Sequence, residues 1–408
     1  MNIKKTLEIL TLIMTTCLLA SFTVLDKSIY GSIMMVVITV LIVLTDSFYN
    51  NFKITIKFSE FHIWVIGFAL YCLLSSLWAI NSAYSISKGL TIIQILICLS
   101  VVYNHYYKNE SENLIKTIEY SGYLIAIYYI SFFGISGIKN SLLSAGRLEN
   151  AFANANTIGM TCAISFVISL YFRLYEGNKN FIIKLPFIII LPIIVAATAS
   201  RKALAIIILG SLFLFMFKYL RKNILKTILQ SLLICCLLGI IFFGVLSLPI
   251  FAGLNHRMEG LLALVTGSGS IDNSTYLRQQ FIKIGLEQFI DTPLIGIGID
   301  NARLLLMQHF GYTTYLHNNY VELLASGGFV GTSLFYSIYI YIIIKLKYNW
   351  NRYNIKKIAF VMLLLMQLAM DFGNVSYYSK TTYFYLMSCF LFVKYKAKEG
   401  NDLKYDNE

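Results

Sequence analysis

At 408 residues, 58% hydrophobic and only 13% charged, the chain carries about half the charge of a soluble domain, where roughly 25% is usual. A length that would fit roughly two or three soluble domains is instead filled by recurring apolar runs of about 20 residues, each long enough to cross a ~30 Å hydrocarbon core as a helix. The net charge of +13 does not point to nucleic acid, because no basic–aromatic surface segment accompanies it and its distribution follows membrane topology.

Backbone groups inside a bilayer must pair within a helix or a closed barrel, and these runs are continuous rather than alternating, so helices are expected. The fold class is all-α integral membrane, one polytopic domain over 1–408. Twelve spans are expected at about 6–25, 28–45, 61–80, 86–103, 114–134, 152–172, 181–199, 202–218, 226–248, 317–344, 356–374 and 377–394. Lys4 and Lys5 precede the first run as in a signal peptide, but the run is too long for one and lacks an A-x-A site. With a cytoplasmic N-terminus, the inner segments hold 22 of the 33 Lys and Arg and the outer ones 11, although the longest loop is outside. That bias places both termini in the cytoplasm. Five of the eight arginines (Arg147, Arg201, Arg257, Arg278 and Arg303) nonetheless fall outside, more than the outer share of all basic residues would give. The seven cysteines all sit in apolar runs, without metal-site spacing, and read as small core residues.

The outer loop 249–316, between spans nine and ten, is the only one large enough to be structured. Asn273 or Ser274 can cap a helix over Thr275–Ile290 with Leu277, Phe281, Ile284 and Phe289 on one face, and Pro293 forbids its continuation. Asp300 can cap a second helix, Asn301–Phe310, closed by Gly311. Two short amphipathic helices on the outer membrane surface are expected. Gly296 and Gly298 imitate a dinucleotide fingerprint, but Asn301 stands where its third glycine belongs and no strand precedes it. They allow a tight turn instead.

Four segments carry candidate chemistry. Gly146–Asn156 brings Arg147 to a span mouth, although Asn154 and Asn156 read more simply as caps. Ala199–Leu204 is a short polar turn that pins Arg201 at the membrane surface. Thr275–Arg278 lies on the first loop helix. His317-Asn318-Asn319-Tyr320 opens the tenth span, followed by Ser326-Gly327-Gly328-Phe329-Val330-Gly331. An imidazole at that boundary can take a proton from a hydroxyl near neutral pH. Glu322, four residues after Asn318, can be held by it about one turn inside, and an ionisable group there is a functional candidate. Taken alone, His317 reads more economically as interfacial and Asn318 as a cap. No D-x-D pair, zinc spacing of His256, His309 and His317, G-x-S-x-G elbow or Walker A loop occurs, so neither metal nor cofactor is expected. His62 and His105 read as structural.

In this order and on this side of the membrane, the four segments resemble the O-antigen ligase and Wzy-type polysaccharide polymerase family. The family's pattern of His, then Asn, Ser or Gln, nine residues and Gly is met by His317, Asn318 and Gly328, with Gly331 and Thr332 following. Its Ser-Arg-x-Ala-Leu turn is met by Ser200–Leu204, and its loop-helix Arg with Pro-Leu-x-Gly-x-Gly by Arg278 and Pro293–Gly298. Its Gly-Arg-Leu…Phe-x-Asn-x-Asn entry is met by Gly146–Asn156, with Ala155 in place of the usual proline. The resemblance implies metal-independent, inverting glycosyl transfer outside the membrane from an undecaprenyl-pyrophosphate-linked glycan to a glycan acceptor. It implies His317 as general base, Arg201 and Arg278 as pyrophosphate clamps with Arg147 as a third member, and Asn318 and Glu322 in support. Polymerisation of repeat units into surface or capsular polysaccharide is expected, alongside a flippase and a chain-length regulator, because nothing reads as a docking domain for another acceptor. The alternatives are ligation of the glycan to lipid A core or protein, and, from another class, a non-catalytic glycan or solute transporter, which would gather its charges at mid-membrane.

Overall fold

The apolar runs fold as helices in the computed structural model, which describes residues 3–49, 57–108, 113–143, 147–177, 181–219, 229, 273–348 and 356–405. Among these residues there is no strand, only an isolated bridge between Asn150 and Ala153. The helices are α1 (Ile3–Val24), α2 (Ile29–Tyr49), α3 (Glu60–Leu74), α4 (Ser82–Lys108), α5 (Asn113–Leu143), α6 (Ala155–Tyr171), α7 (Phe181–Ala197) and α8 (Arg201–Tyr219). They continue with α9 (Asn273–Asp291), α10 (Ala302–Phe310), α11 (Asn319–Tyr348), α12 (Lys356–Asp371) and α13 (Lys380–Tyr405). Among the described residues, eight stretches are long and apolar enough to cross a membrane: α1, α2, α3 with its following turn, α4, α5, α6, α8 and α11. The seventh expected span is a shorter apolar helix, Ile182–Ala197, broken in rhythm by Pro186 and Pro192. The last two expected spans coincide with α12 and α13 but are not among the eight. The ninth, 226–248, apart from residue 229, and the first part of the loop 249–316 lie outside the described residues, as do Cys235 and Cys236. The five described cysteines are free.

The helices gather in two compact units. One contains α1, the start of α2 and α5–α8. Its interior is more polar than a soluble core: Thr15 meets Thr117 at 3.4 Å and Thr23 meets Thr161 at 3.1 Å, all buried. A methyl at Gly122 would strike the Ser165 side chain, so α5 and α6 approach closely. Large apolar side chains such as Ile182, Ile183 and Leu209 point outward instead. Small and hydroxyl residues inside, with apolar ones outside, is how helices associate in lipid. The buried Glu119 carboxylate is closed by Lys184 at 2.6 Å and the Tyr123 hydroxyl at 2.9 Å, as buried charge requires.

The other unit holds the rest of α2, α3, α4 and α9–α13. Its centre is aromatic, with Trp64 and Phe68 against Phe335 and with Tyr383 and Tyr377 beside them. His105 bonds Asp46 at 3.1 Å and His62 bonds Ser59 at 2.9 Å, which gives both histidines structural partners. The expected loop helices form, with three differences. α9 starts at Asn273, so Asn273 and Ser274 belong to its first turn. Its apolar stripe meets a protein face: Leu277, Phe281 and Ile284 pack on Ala302, Leu306, Leu316, Val321 and Ala325. Asp300 does not cap α10. Asn301 occupies that position without a side-chain cap bond, and Asp300, with φ 66°, turns to other partners. Gly311 closes α10 in the left-handed conformation, φ 76°, as expected.

Candidate active site

Two glycines, Gly328 in α11 and Gly296 between α9 and α10, decide how the site is built. The helix breaks at Gly328, φ 60° and ψ −164°, a region open essentially to glycine alone. The break frees the N–H groups of Phe329 and Val330, which donate to the carbonyls of Pro293 and Leu294 at 2.8 and 3.0 Å. Ile297 N–H donates to the Ala325 carbonyl at 3.2 Å, and the Tyr71 hydroxyl donates to Gly327 O at 2.6 Å and Ile295 O at 3.2 Å. The Pro293–Gly298 segment is thus more than a link between α9 and α10. It is a plug seated in the α11 break. A methyl group on Gly296 would meet Ser326 backbone atoms at 2.5 Å, and one on Gly328 would meet Leu294 O at the same distance. Gly328→Ala is therefore expected to destabilise the unit by about 1–3 kcal/mol from backbone strain alone; a lowered melting temperature of the detergent-purified protein checks this.

α9 and the segment before α11 frame His317. This residue takes φ 58°, uncommon for a side-chain-bearing residue, and is partly buried. Its ring stacks 6.1 Å from Phe281 at 13° and lies 4.2 Å from Tyr315. Phe281 stands three positions after Arg278 on α9, which is one turn along the same helix face. Arg278, itself partly buried, is therefore brought to the neighbourhood of His317 by the ring against which His317 stacks.

Asn318 caps α11, its side-chain oxygen accepting from Val321 N–H at 3.1 Å. It does not hold Glu322. The Glu322 carboxylate instead accepts from Leu316 N–H at 2.8 Å, one residue before His317, because the N-terminal turn of α11 directs its side chain back over the entering backbone. Glu322 is 1% exposed and its second oxygen is buried without a partner.

The residue next along proves the stronger anchor. Asn319 is fully buried; its amide nitrogen donates to Tyr336 Oη at 2.9 Å and Asp371 Oδ2 at 3.3 Å. Its oxygen accepts from the N–H groups of Ser376 and Tyr377 at 2.9 and 3.1 Å. Asp371 also accepts from Tyr336 and Ser376, at 2.8 and 2.6 Å. Asn319 thus uses both ends of its amide to fix the α11 N-terminus against the turn after α12. Two adjacent asparagines offered no local signal for which one plays this part.

Asp300 anchors a second cluster. Its carboxylate meets Arg303 Nη2 at 2.6 Å, Lys88 Nζ at 3.7 Å and the Tyr377 hydroxyl at 3.4 Å. Burial pushes its pKa above the usual carboxylate range, while Lys88 and Arg303 pull it back.

Arg147 and Arg201 belong to the other unit. Arg147 donates to the Thr198 carbonyl at 3.2 Å and to Asn156 Oδ1 at 2.7 Å, and Ser200 Oγ donates to the same Asn156 oxygen at 3.1 Å. Leu148 N–H bonds the Ala197 carbonyl at 2.9 Å. Arg147 thereby ties the 147–156 segment to the turn between α7 and α8. Asn154 caps α6 by accepting from Asn156 N–H at 2.8 Å. The turn itself is three residues long, with Ala199 at φ 48°, and it places Arg201 as the first residue of α8, where unsatisfied N–H groups and the helix dipole favour anions.

Residues 186–336 match the family model described as O-antigen ligase. This stretch is similar to the O-antigen ligase family. It runs from within α7 through the α11 break, and so takes in Arg201, Arg278, the Pro293–Gly298 plug and His317. Arg147 precedes it. No curated protein matches the chain.

Proposed function

We propose that the protein polymerises undecaprenyl-pyrophosphate-linked repeat units into a surface or capsular polysaccharide on the outer face of the cytoplasmic membrane. Twelve helices then cross the bilayer, with both termini cytoplasmic and His317 outside. The observation that carries the proposal is the framing of His317 in a stretch similar to the O-antigen ligase family: an imidazole stacked on Phe281, one turn from Arg278. His317 takes the proton of an acceptor hydroxyl as its oxygen attacks the anomeric carbon, opposite the leaving group. The new glycosidic C–O bond forms, the bond to the diphosphate oxygen breaks with its electron pair, and the lipid diphosphate departs as an anion. Arg278 and Arg201 hold that anion, guanidinium forks being suited to phosphate oxygens, and no metal is required. Arg147 serves the same end through the turn it braces. Asn318, Glu322 and Asn319 hold the backbone that presents His317.

The family description itself favours one second reading, ligation of a finished glycan to an acceptor outside the carrier lipid. Analysis of carrier-linked glycans in a strain lacking the gene separates the two. Single repeat units are expected to accumulate; long polymers left on the carrier would instead establish ligation.

A further inference from the structure

Lys88 of α4 stands in an unfinished network. Its ammonium lies 3.7 Å from Asp300, beyond hydrogen-bond length, and 3.6 Å from the centre of the Tyr378 ring, with 15% of the side chain exposed. Arg303 gives one nitrogen to Asp300, stacks over Tyr84 at 5.0 Å, and keeps 24% of its side chain exposed while its Nε has no partner. Glu322, near the start of α11, also keeps one oxygen unpartnered. Leaving such buried donors and acceptors unmade costs about 1–3 kcal/mol each, and a purely structural network would close them.

The composition of the cluster narrows the ligand. Asp300 offsets one of the two cations, so the cluster holds a single net positive charge against the two or more negative charges of a diphosphate. A sugar ring suits it better, because each hydroxyl both accepts from Lys88 or Arg303 and donates to a carboxylate. Placement adds to this. Tyr377 donates its hydroxyl to Asp300 at 3.4 Å and its N–H to the Asn319 side-chain oxygen at 3.1 Å, which ties the cluster to the start of α11 beside His317.

We infer that Lys88 and Arg303, set by Asp300, form the subsite for a pyranose ring of the acceptor glycan, adjoining the hydroxyl that His317 deprotonates. The inference rests on the glycosyl-transfer reading above. The test uses the full chain in detergent with two probes: the oligosaccharide released by mild acid from the carrier-linked glycan of the deletion strain, and undecaprenyl diphosphate. Lys88→Met and Arg303→Gln should each weaken oligosaccharide binding by about 10–100-fold, the loss of a charged hydrogen bond, and leave undecaprenyl diphosphate binding as in the wild type. Lys88→Arg should restore most of the affinity. Unchanged oligosaccharide binding in both variants overturns the subsite, as does equal loss of both probes with a lowered melting temperature, which marks a structural role. A wild-type protein that binds undecaprenyl diphosphate but not the oligosaccharide also removes the subsite while the proposed function stands. One that binds neither removes both.

Discussion

Replacing His317 should abolish glycan transfer, with a loss of about 10²–10⁴-fold, the usual contribution of a positioned general base. The choice of variant matters, because His317 sits at φ 58°. Alanine there carries left-handed strain of about 1–2 kcal/mol, which would confuse a catalytic loss with a folding one. Asparagine tolerates that conformation far better yet cannot accept the proton at neutral pH. His317→Asn should therefore melt as the wild type does and yield no polymer in a complementation assay. Full-length surface glycan from a correctly inserted His317→Asn protein would remove the general-base role. Phe281→Leu, which takes away the stacked ring, should leave a smaller defect.

Arg278→Lys is expected to lose about 10²-fold in transfer rate, the scale seen when one preorganised donor to a developing anion is lost. Lysine keeps the charge and the partial burial but not the planar pair of donors. Arg201→Lys should behave alike. If both arginines act on one diphosphate, the double variant will depart from the product of the single losses; independent sites would multiply. Wild-type rates in both single variants would reduce the two residues to topological charges. Arg147 is expected to differ in kind: its bonds to Thr198 and Asn156 make it a brace of the Arg201 turn.

Local features were legible in the sequence and non-local ones were not. Continuous apolar runs, Pro293 as a helix stop and Gly311 as a closing residue depend on neighbours within a few positions, and the helices end where those residues lie. The seating of Pro293–Gly298 in the α11 break joins carbonyls and N–H groups 28 or 36 positions apart, and nothing in either segment announces the other. Asp300 looks like a cap because it precedes a helix; its choice of Arg303 and Lys88 depends on α4, more than two hundred positions earlier. The same limit hid Lys88, which counted only as one outer positive charge, and Asn319, indistinguishable from Asn318 without the turn that follows α12. α9 carried an amphipathic stripe that a membrane surface or a protein face satisfies equally; α10 and α11 supply the protein face.

Metal-independent transfer driven by one imidazole can be followed in a reconstituted reaction. Purified full-length protein is mixed with carrier-linked repeat units from the deletion strain in excess chelator, and lengthened glycan and released undecaprenyl diphosphate are measured together. Both are expected to appear in step for the wild type, and neither for His317→Asn. Transfer that stops in chelator and returns with Mg²⁺ or Mn²⁺, or that persists in His317→Asn, would contradict it.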